Sequence, residues 1–266
     1  MARVQPSRCV LALVLAACAM VCYAQRNAFT SATARTVIPS SGNTTMEYSA
    51  EWRLMRAGTA RLAFTPPADA APASWQADLH LWTTGFVSKL YKVDNRYSVL
   101  FNEVFCASSS RMLASESKKR RETQVTFNQT PGKASLLERN LVNDQVLSTR
   151  EIDVPPCVQD VLAGLARLRA MAPEPGQTVQ LPISDGKKSA SARVDALERE
   201  TVKTPAGTFQ TVRYEAFLFN DVLYRRKGRL FVWLTDDERR LPVQIRIQLP
   251  FYIGTVTLKL EKEDKS

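Results

Sequence analysis

Arg229-Leu230-Phe231-Val232-Trp233-Leu234 is the stretch on which the reading of the fold turns. It is apolar or aromatic at consecutive positions, as a strand buried on much of both faces would be. Thr235-Asp236-Asp237-Glu238 then supplies turn chemistry, because Asp side chains bond nearby backbone amides. Val243, Ile245, Ile247 and Leu249 alternate with Gln244, Arg246 and Gln248. After Pro250 and Gly254, Val256, Leu258 and Leu260 alternate with Thr255, Thr257, Lys259 and Glu261. A period of two over this length places one face in a core and the other in water. The chain therefore closes on antiparallel strands.

Upstream, the same pattern recurs. Tyr48 to Met55, Thr59 to Phe64, Trp75 to Leu81, Tyr97 to Phe101, Met112 to Glu116 and Arg121 to Phe127 all read as strands. Asn128-Gln129-Thr130-Pro131-Gly132 is a turn leading into Lys133 to Glu138, and the polar segment from Asn140 to Val154 ends in one more strand. Thr178 to Leu181, Ala190 to Ala196, Glu198 to Val202 and Thr208 to Leu218 follow at regular spacing, separated by Ser184-Asp185-Gly186 and Pro205-Ala206-Gly207. Gly85 to Lys92 reads as a short helix or an irregular crossover. One segment is convincingly helical: Val158, Val161, Leu162, Leu165 and Leu168 form one apolar stripe after Pro155-Pro156, with Gln159, Asp160, Arg167 and Arg169 assigned to the polar surface and Pro173 as the stop. The expected fold is mainly β, a single domain of about a dozen antiparallel strands forming a curved sheet or open barrel, with one amphipathic helix packed against it.

The chain of 266 residues begins with a secretory pattern. Arg3 and Arg8 precede the apolar run Cys9 to Val21, and Cys22-Tyr23-Ala24 is a small-residue cleavage site. Leu15-Ala16-Ala17-Cys18 also matches the box before a lipidated cysteine, so Cys18 is an alternative anchoring point. Either way export is expected, to the periplasm of a Gram-negative bacterium or, through Cys18, to its outer membrane. Residues 1–24 read as the signal, 25–44 as a flexible leader and 45–266 as the β-rich domain. Loss of the signal removes two arginines and no acids, taking the formal charge from +10 to about +8. An excess of that sign suits an anionic membrane surface or acidic polymer, and export argues against nucleic acid as the partner.

Cleavage after Ala24 leaves only Cys106 and Cys157, which in an oxidising compartment are expected to pair. Two separate buried thiols are the other reading. The bridge would tie the helix start to the sheet and contribute roughly 4–5 kcal/mol.

Candidate chemistry is sparse. His80, the only histidine, sits on the polar face of a strand, and no Gly-x-Ser-x-Gly elbow exists to meet it. Ligands for zinc are too few, and neither a phosphate loop nor a dinucleotide glycine fingerprint appears, so no catalytic residue, metal or cofactor is assigned. Asp236, Asp237 and Glu238 form the best carboxylate cluster, which a glycan-acting enzyme would use, though a strand turn explains them equally. Two basic clusters, Lys118-Lys119-Arg120-Arg121 and Arg225-Arg226-Lys227, would make an anion-binding rim if they share one end of the sheet; protection of strand edges is the alternative. Trp52, Trp75, Trp82 and Trp233 are candidates to line a ligand hollow or simply to pack the core.

The order of several motifs resembles a family of secreted bacterial proteins known as a domain of unknown function, number thirty-one-oh-eight. The pieces are Tyr48-Ser49-Ala50-Glu51-Trp52 with Gly58-Thr59-Ala60, Leu90-Tyr91-Lys92-Val93-Asp94-Asn95-Arg96-Tyr97, Arg120-Arg121-Glu122-Thr123 and Pro156-Cys157-Val158. Further on come Arg199-Glu200, Thr204-Pro205-Ala206-Gly207, Trp233-Leu234-Thr235-Asp236-Asp237 and Arg240-Leu241-Pro242-Val243. The resemblance implies a β-rich envelope protein and carries over no reaction. A looser similarity of architecture is to periplasmic lipoprotein carriers. Together these readings predict a non-catalytic binder of a lipid or other amphipathic ligand, with a pocket of several hundred Å³. The rival is an envelope scaffold that binds a protein partner and has a packed interior.

Overall fold

The computed structural model describes residues 43–265 apart from 54, 68–73 and 251–253. The expected signal, the leader up to residue 42 and the Cys18 lipidation site lie outside the described residues. The strands are β1 (Thr44–Trp52), β2 (Met55–Thr65), β3 (Trp75–Thr83), β4 (Val93–Phe101), β5 (Ala107–Glu116), β6 (Lys119–Asn128), β7 (Lys133–Asn140) and β8 (Gln145–Asp153). They continue with β9 (Thr178–Ser184), β10 (Ser189–Thr204), β11 (Gly207–Ala216), β12 (Arg229–Thr235), β13 (Pro242–Gln248) and β14 (Thr255–Lys265). All fourteen form one sheet in the order β8-β7-β6-β5-β4-β3-β2-β1-β14-β13-β12-β11-β10-β9, and each neighbouring pair is antiparallel. The first and last strands of the chain thus meet in the middle, β1 against β14, and the sheet's edges are β8 and β9.

β12 bears out the opening reading, since Phe231 to Thr235 are all buried. Val232 and Leu234 face the interior with the helix, whereas Phe231 and Trp233 lie on the opposite face. There the guanidinium of Arg246 stands 5.1 Å from the Trp233 ring, and the Trp233 indole N–H donates to Glu200 at 2.6 Å. The two strands expected at 190–196 and 198–202 are one strand, β10, with a register shift between Ala196 and Arg199. The bulge hides the alternation that would otherwise have joined them.

Two helices are present among the described residues. α1 (Gly85–Leu90) is the short helix anticipated at 85–92 and buries none of its residues. α2 (Val161–Met171) lies in the hollow of the curved sheet, and it begins later than the sequence reading placed it. The turn after Pro155-Pro156 leads into an extended segment instead. Ala107 N–H donates to Val158 C=O, Gln159 N–H donates to Pro182 C=O and Ser184 N–H donates to Gln159 C=O. This segment ties the edge of β9, through a single parallel bridge between Gln159 and Ile183, to the start of β5. Cys106 and Cys157 form the disulfide, with Cα atoms 4.5 Å apart. It therefore anchors the bridging segment and precedes the helix, a correction to the expected bridge at the helix start.

The β9–β10 turn reaches across to the far side of the sheet. Gly186 has φ +78, and a Cβ there would stand 2.6 Å from Val125 Cγ2, so this tip has no room for a side chain. The Lys187 ammonium meets the Glu138 carboxylate at 2.9 Å. These contacts turn a flat ladder into a barrel-like cup.

Candidate functional site: a hollow beside the helix

Inward-facing side chains are buried at one end of the cup and partly exposed toward the other. Along β3, Trp75 and Ala77 are buried while Leu79 and Leu81 are not. On β4 the change runs from Phe101 and Val99 to Tyr97, and on β13 from Val243 to Ile245 and Ile247. α2 fills the buried end and leaves space beyond it.

That space forms two adjoining chambers sharing Leu79, Val161 and Leu162. The first, about 220 Å³, is lined among the described residues only by apolar side chains and one glycine, with Leu168, Leu181, Leu230, Ile247 and Ala216 on its wall. The second, about 380 Å³, mixes Leu81 and Met112 with the polar groups of Tyr97, Ser110, Thr123 and Tyr224. Val161 and Leu165, expected to be core residues of the helix, are only half-buried because they face this space.

Asp160 fixes how α2 sits. It caps the helix, accepting from Leu162 N–H at 2.7 Å and from Ala163 N–H, and it also accepts the Tyr97 hydroxyl of β4. Burial pushes its carboxyl above the ordinary range, against the pull of these hydrogen bonds. Burial and the neighbouring Asp160 likewise raise the Tyr97 phenol. Asp160→Ala removes the cap and strands the buried Tyr97 hydroxyl, so a loss of about 2–4 kcal/mol is expected in urea unfolding. Asp160→Asn, which keeps an acceptor at the cap, is expected to lose less than half as much. Equal losses for the two variants would show that capping and Tyr97 are not what Asp160 supplies.

The sequence reading missed this pair by assigning Gln159, Asp160 and Arg169 to the polar surface. All three are buried. An Asp directly before the apolar run Val161-Leu162-Ala163 was the available sign of the true helix start.

The β5–β6 and β11–β12 connections leave the same end of their strands, because β5 and β11 run in the same direction in the antiparallel order. Lys118, Lys119, Arg120, Arg225, Arg226 and Lys227 are all exposed at that end. Arg121 differs from the rest of its cluster, since it is paired with the nearly buried Glu138 at 2.7 Å. The acidic turn lies at the opposite end, where Asp236 meets Arg199 at 2.8 Å and Asp237 meets Arg239 at 2.9 Å. Burial raises the Asp237 carboxyl, but hydrogen bonds from Thr235 and Arg239 outweigh it and hold the group below its ordinary range. His80 bonds Asp94 at 2.7 Å and packs on Trp82 at 4.3 Å. None of Trp52, Trp75, Trp82 and Trp233 borders either chamber; the first has an aliphatic wall, and the aromatic rings of the second are those of Tyr97 and Tyr224.

A family model described as "Protein of unknown function (DUF3108)" matches residues 47–261. No curated protein matches the chain. Among solved structures, the chain is similar to a β-barrel-like protein of the domain of unknown function DUF1849 from Brucella abortus. The TM-score is 0.53 at 11% identity, covering 85% of this chain and 98% of that one. It is also similar to a Bacteroides fragilis protein with a YmcC-like fold, at a TM-score of 0.37 and 11% identity, covering 86% of this chain and 98% of that one.

Proposed function

The chain belongs to the DUF3108 family of proteins of unknown function, and from that premise we propose that it is an exported, non-catalytic binder of a lipid or other amphipathic ligand held in the hollow beside α2. The observation that carries the reading is the all-apolar chamber left open where a barrel-like sheet would otherwise be packed by its own side chains. Keeping aliphatic side chains partly uncovered forgoes roughly 25 cal/mol for each Å² of apolar surface left in water, a cost that a bound apolar chain would recover. The disulfide fits an oxidising compartment, the periplasm or, with Cys18 lipidated, the outer-membrane surface. The six basic residues exposed at one end of the cup, none in an ion pair among the described residues, would draw the protein to anionic head groups.

Native mass spectrometry of the protein purified from its own envelope tests this reading, since it reports ligand, lipidation and partners together. A copurified mass in the range of a single lipid is expected. Ala216→Phe, which places a ring in the apolar chamber, is expected to reduce that occupancy at least about tenfold without unfolding the protein. Unliganded protein that also fails to take up added amphiphiles would overturn the reading.

A scaffold reading is favoured by a different surface. Among the described residues the β8 edge has no second partner strand, and Val142 and Val146 around it are 66% and 51% exposed. Crosslinking to a partner protein through this edge, with an empty hollow, is the result that would select it.

A further inference from the structure

The two chambers differ in chemistry, and the difference names the class of ligand. Resting on the reading of the hollow as a ligand site, we infer that it takes a single-chain amphiphile with an uncharged, hydrogen-bonding head: the chain lies in the apolar chamber and the head beside Tyr97 and Tyr224. Leu79, Val161 and Leu162 line both chambers, so the side chains shared between them are apolar and present no polar barrier to a molecule that reaches both.

The polar wall offers hydroxyl groups and no spare charge. Tyr97 donates to Asp160 and stands within hydrogen-bonding reach of Ser110, which leaves its oxygen as an acceptor. The Tyr224 ring packs on Phe219, 5.5 Å between centroids, and no hydrogen bond within the chain engages its hydroxyl among the described residues. Among the described residues two charged side chains border the chamber, and both are engaged. The Lys187 ammonium is paired with Glu138, and the Asp185 carboxylate accepts the backbone N–H groups of Lys187 and Lys188 at 2.8 and 2.9 Å. A phosphate or carboxylate head would be desolvated here without a free cation and with the carboxylates of Asp160 and Asp185 close by. A glycerol, alcohol, ester or amide head meets neither difficulty and satisfies the open Tyr224 hydroxyl.

The test compares four probes of one chain length on the delipidated full domain: monopalmitoylglycerol, palmitate, palmitoyl lysophosphatidylglycerol and hexadecane. Monopalmitoylglycerol is expected to bind at least about tenfold more tightly than either anionic probe. Tyr224→Phe is expected to weaken it roughly fivefold to tenfold while leaving hexadecane unchanged. Ala216→Phe should weaken all four together. Anionic probes that bind as tightly as the glyceride, yet remain sensitive to Ala216→Phe, would overturn the head-group inference and leave the hollow standing. The same inference falls if Tyr224→Phe leaves the affinity for monopalmitoylglycerol unchanged. Failure of all four probes to bind would remove the ligand site itself.

Discussion

Arg169→Ala is expected to lower the stability of the domain by about 3–5 kcal/mol, a loss on the scale of breaking a buried charged network. Arg169 lies in the last turn of α2, only 4% exposed, where Nε donates to Arg240 C=O at 2.9 Å and Nη2 donates to Arg239 C=O at 3.2 Å. Its guanidinium also stands 4.9 Å from the Phe64 ring. Burial pulls its pKa down to about 10, opposed by the nearby Tyr48 and Glu263. A cation accepts such a site only where carbonyls and a ring face replace its water, and truncation leaves those carbonyls without donors. It also removes the contact that locks the C-terminal end of α2 to the β12–β13 turn. Arg169→Met preserves most of the packing of the stem and is expected to lose less than the alanine variant. Urea unfolding of both variants decides the point; an alanine variant within about 1 kcal/mol of the parent would show that the buried arginine is not a structural tie.

Removal of the Cys106–Cys157 disulfide is expected to cost about 4 kcal/mol. The bridge closes a loop with a sequence separation of 51, for which the chain-entropy relation gives that magnitude. For a domain of this size the loss corresponds to roughly 8–16 °C in melting temperature. The bridge also holds the segment at residues 158–159 that covers the β9 edge and leads into α2. Reduction is therefore expected to loosen the hollow as well as destabilise the sheet, with faster hydrogen exchange at Ala107, Gln159 and Ser184. The Cys106→Ala and Cys157→Ala double variant, measured beside reduced and alkylated parent, checks both effects. A midpoint unchanged on reduction would contradict the loop-closure argument.

These two ties were not equally visible in the sequence. The disulfide was legible because the two cysteines left by the expected cleavage after Ala24 have one pairing, although the part it secures was misplaced by the late start of α2. Arg169 was not legible. A helix with an apolar stripe and charged residues elsewhere is ordinarily read as lying on a surface, with its charged side in water. α2 instead sits inside a curved sheet, so its surroundings on several sides are protein. Asp160 and Arg169 are buried by elements distant in sequence, β4 for one and the β12–β13 turn for the other. Meanwhile Val161 and Leu165 of the apolar stripe face the hollow.

The alternation of β13 and β14, the doubly buried run of β12 and the turn signals between strands were sufficient for an antiparallel, mainly β domain. Those features follow from local rules, a side-chain period of two and the backbone needs of turns, and each is complete within a dozen residues. The strand order, with β1 meeting β14 and both edges left unclosed, depended on which ladders pair across long separations. So did the two-chamber hollow, whose apolar wall draws on β2, β3, β9 to β14 and α2. A cavity is the space that many side chains fail to fill together, and no single stretch of sequence records that shortfall.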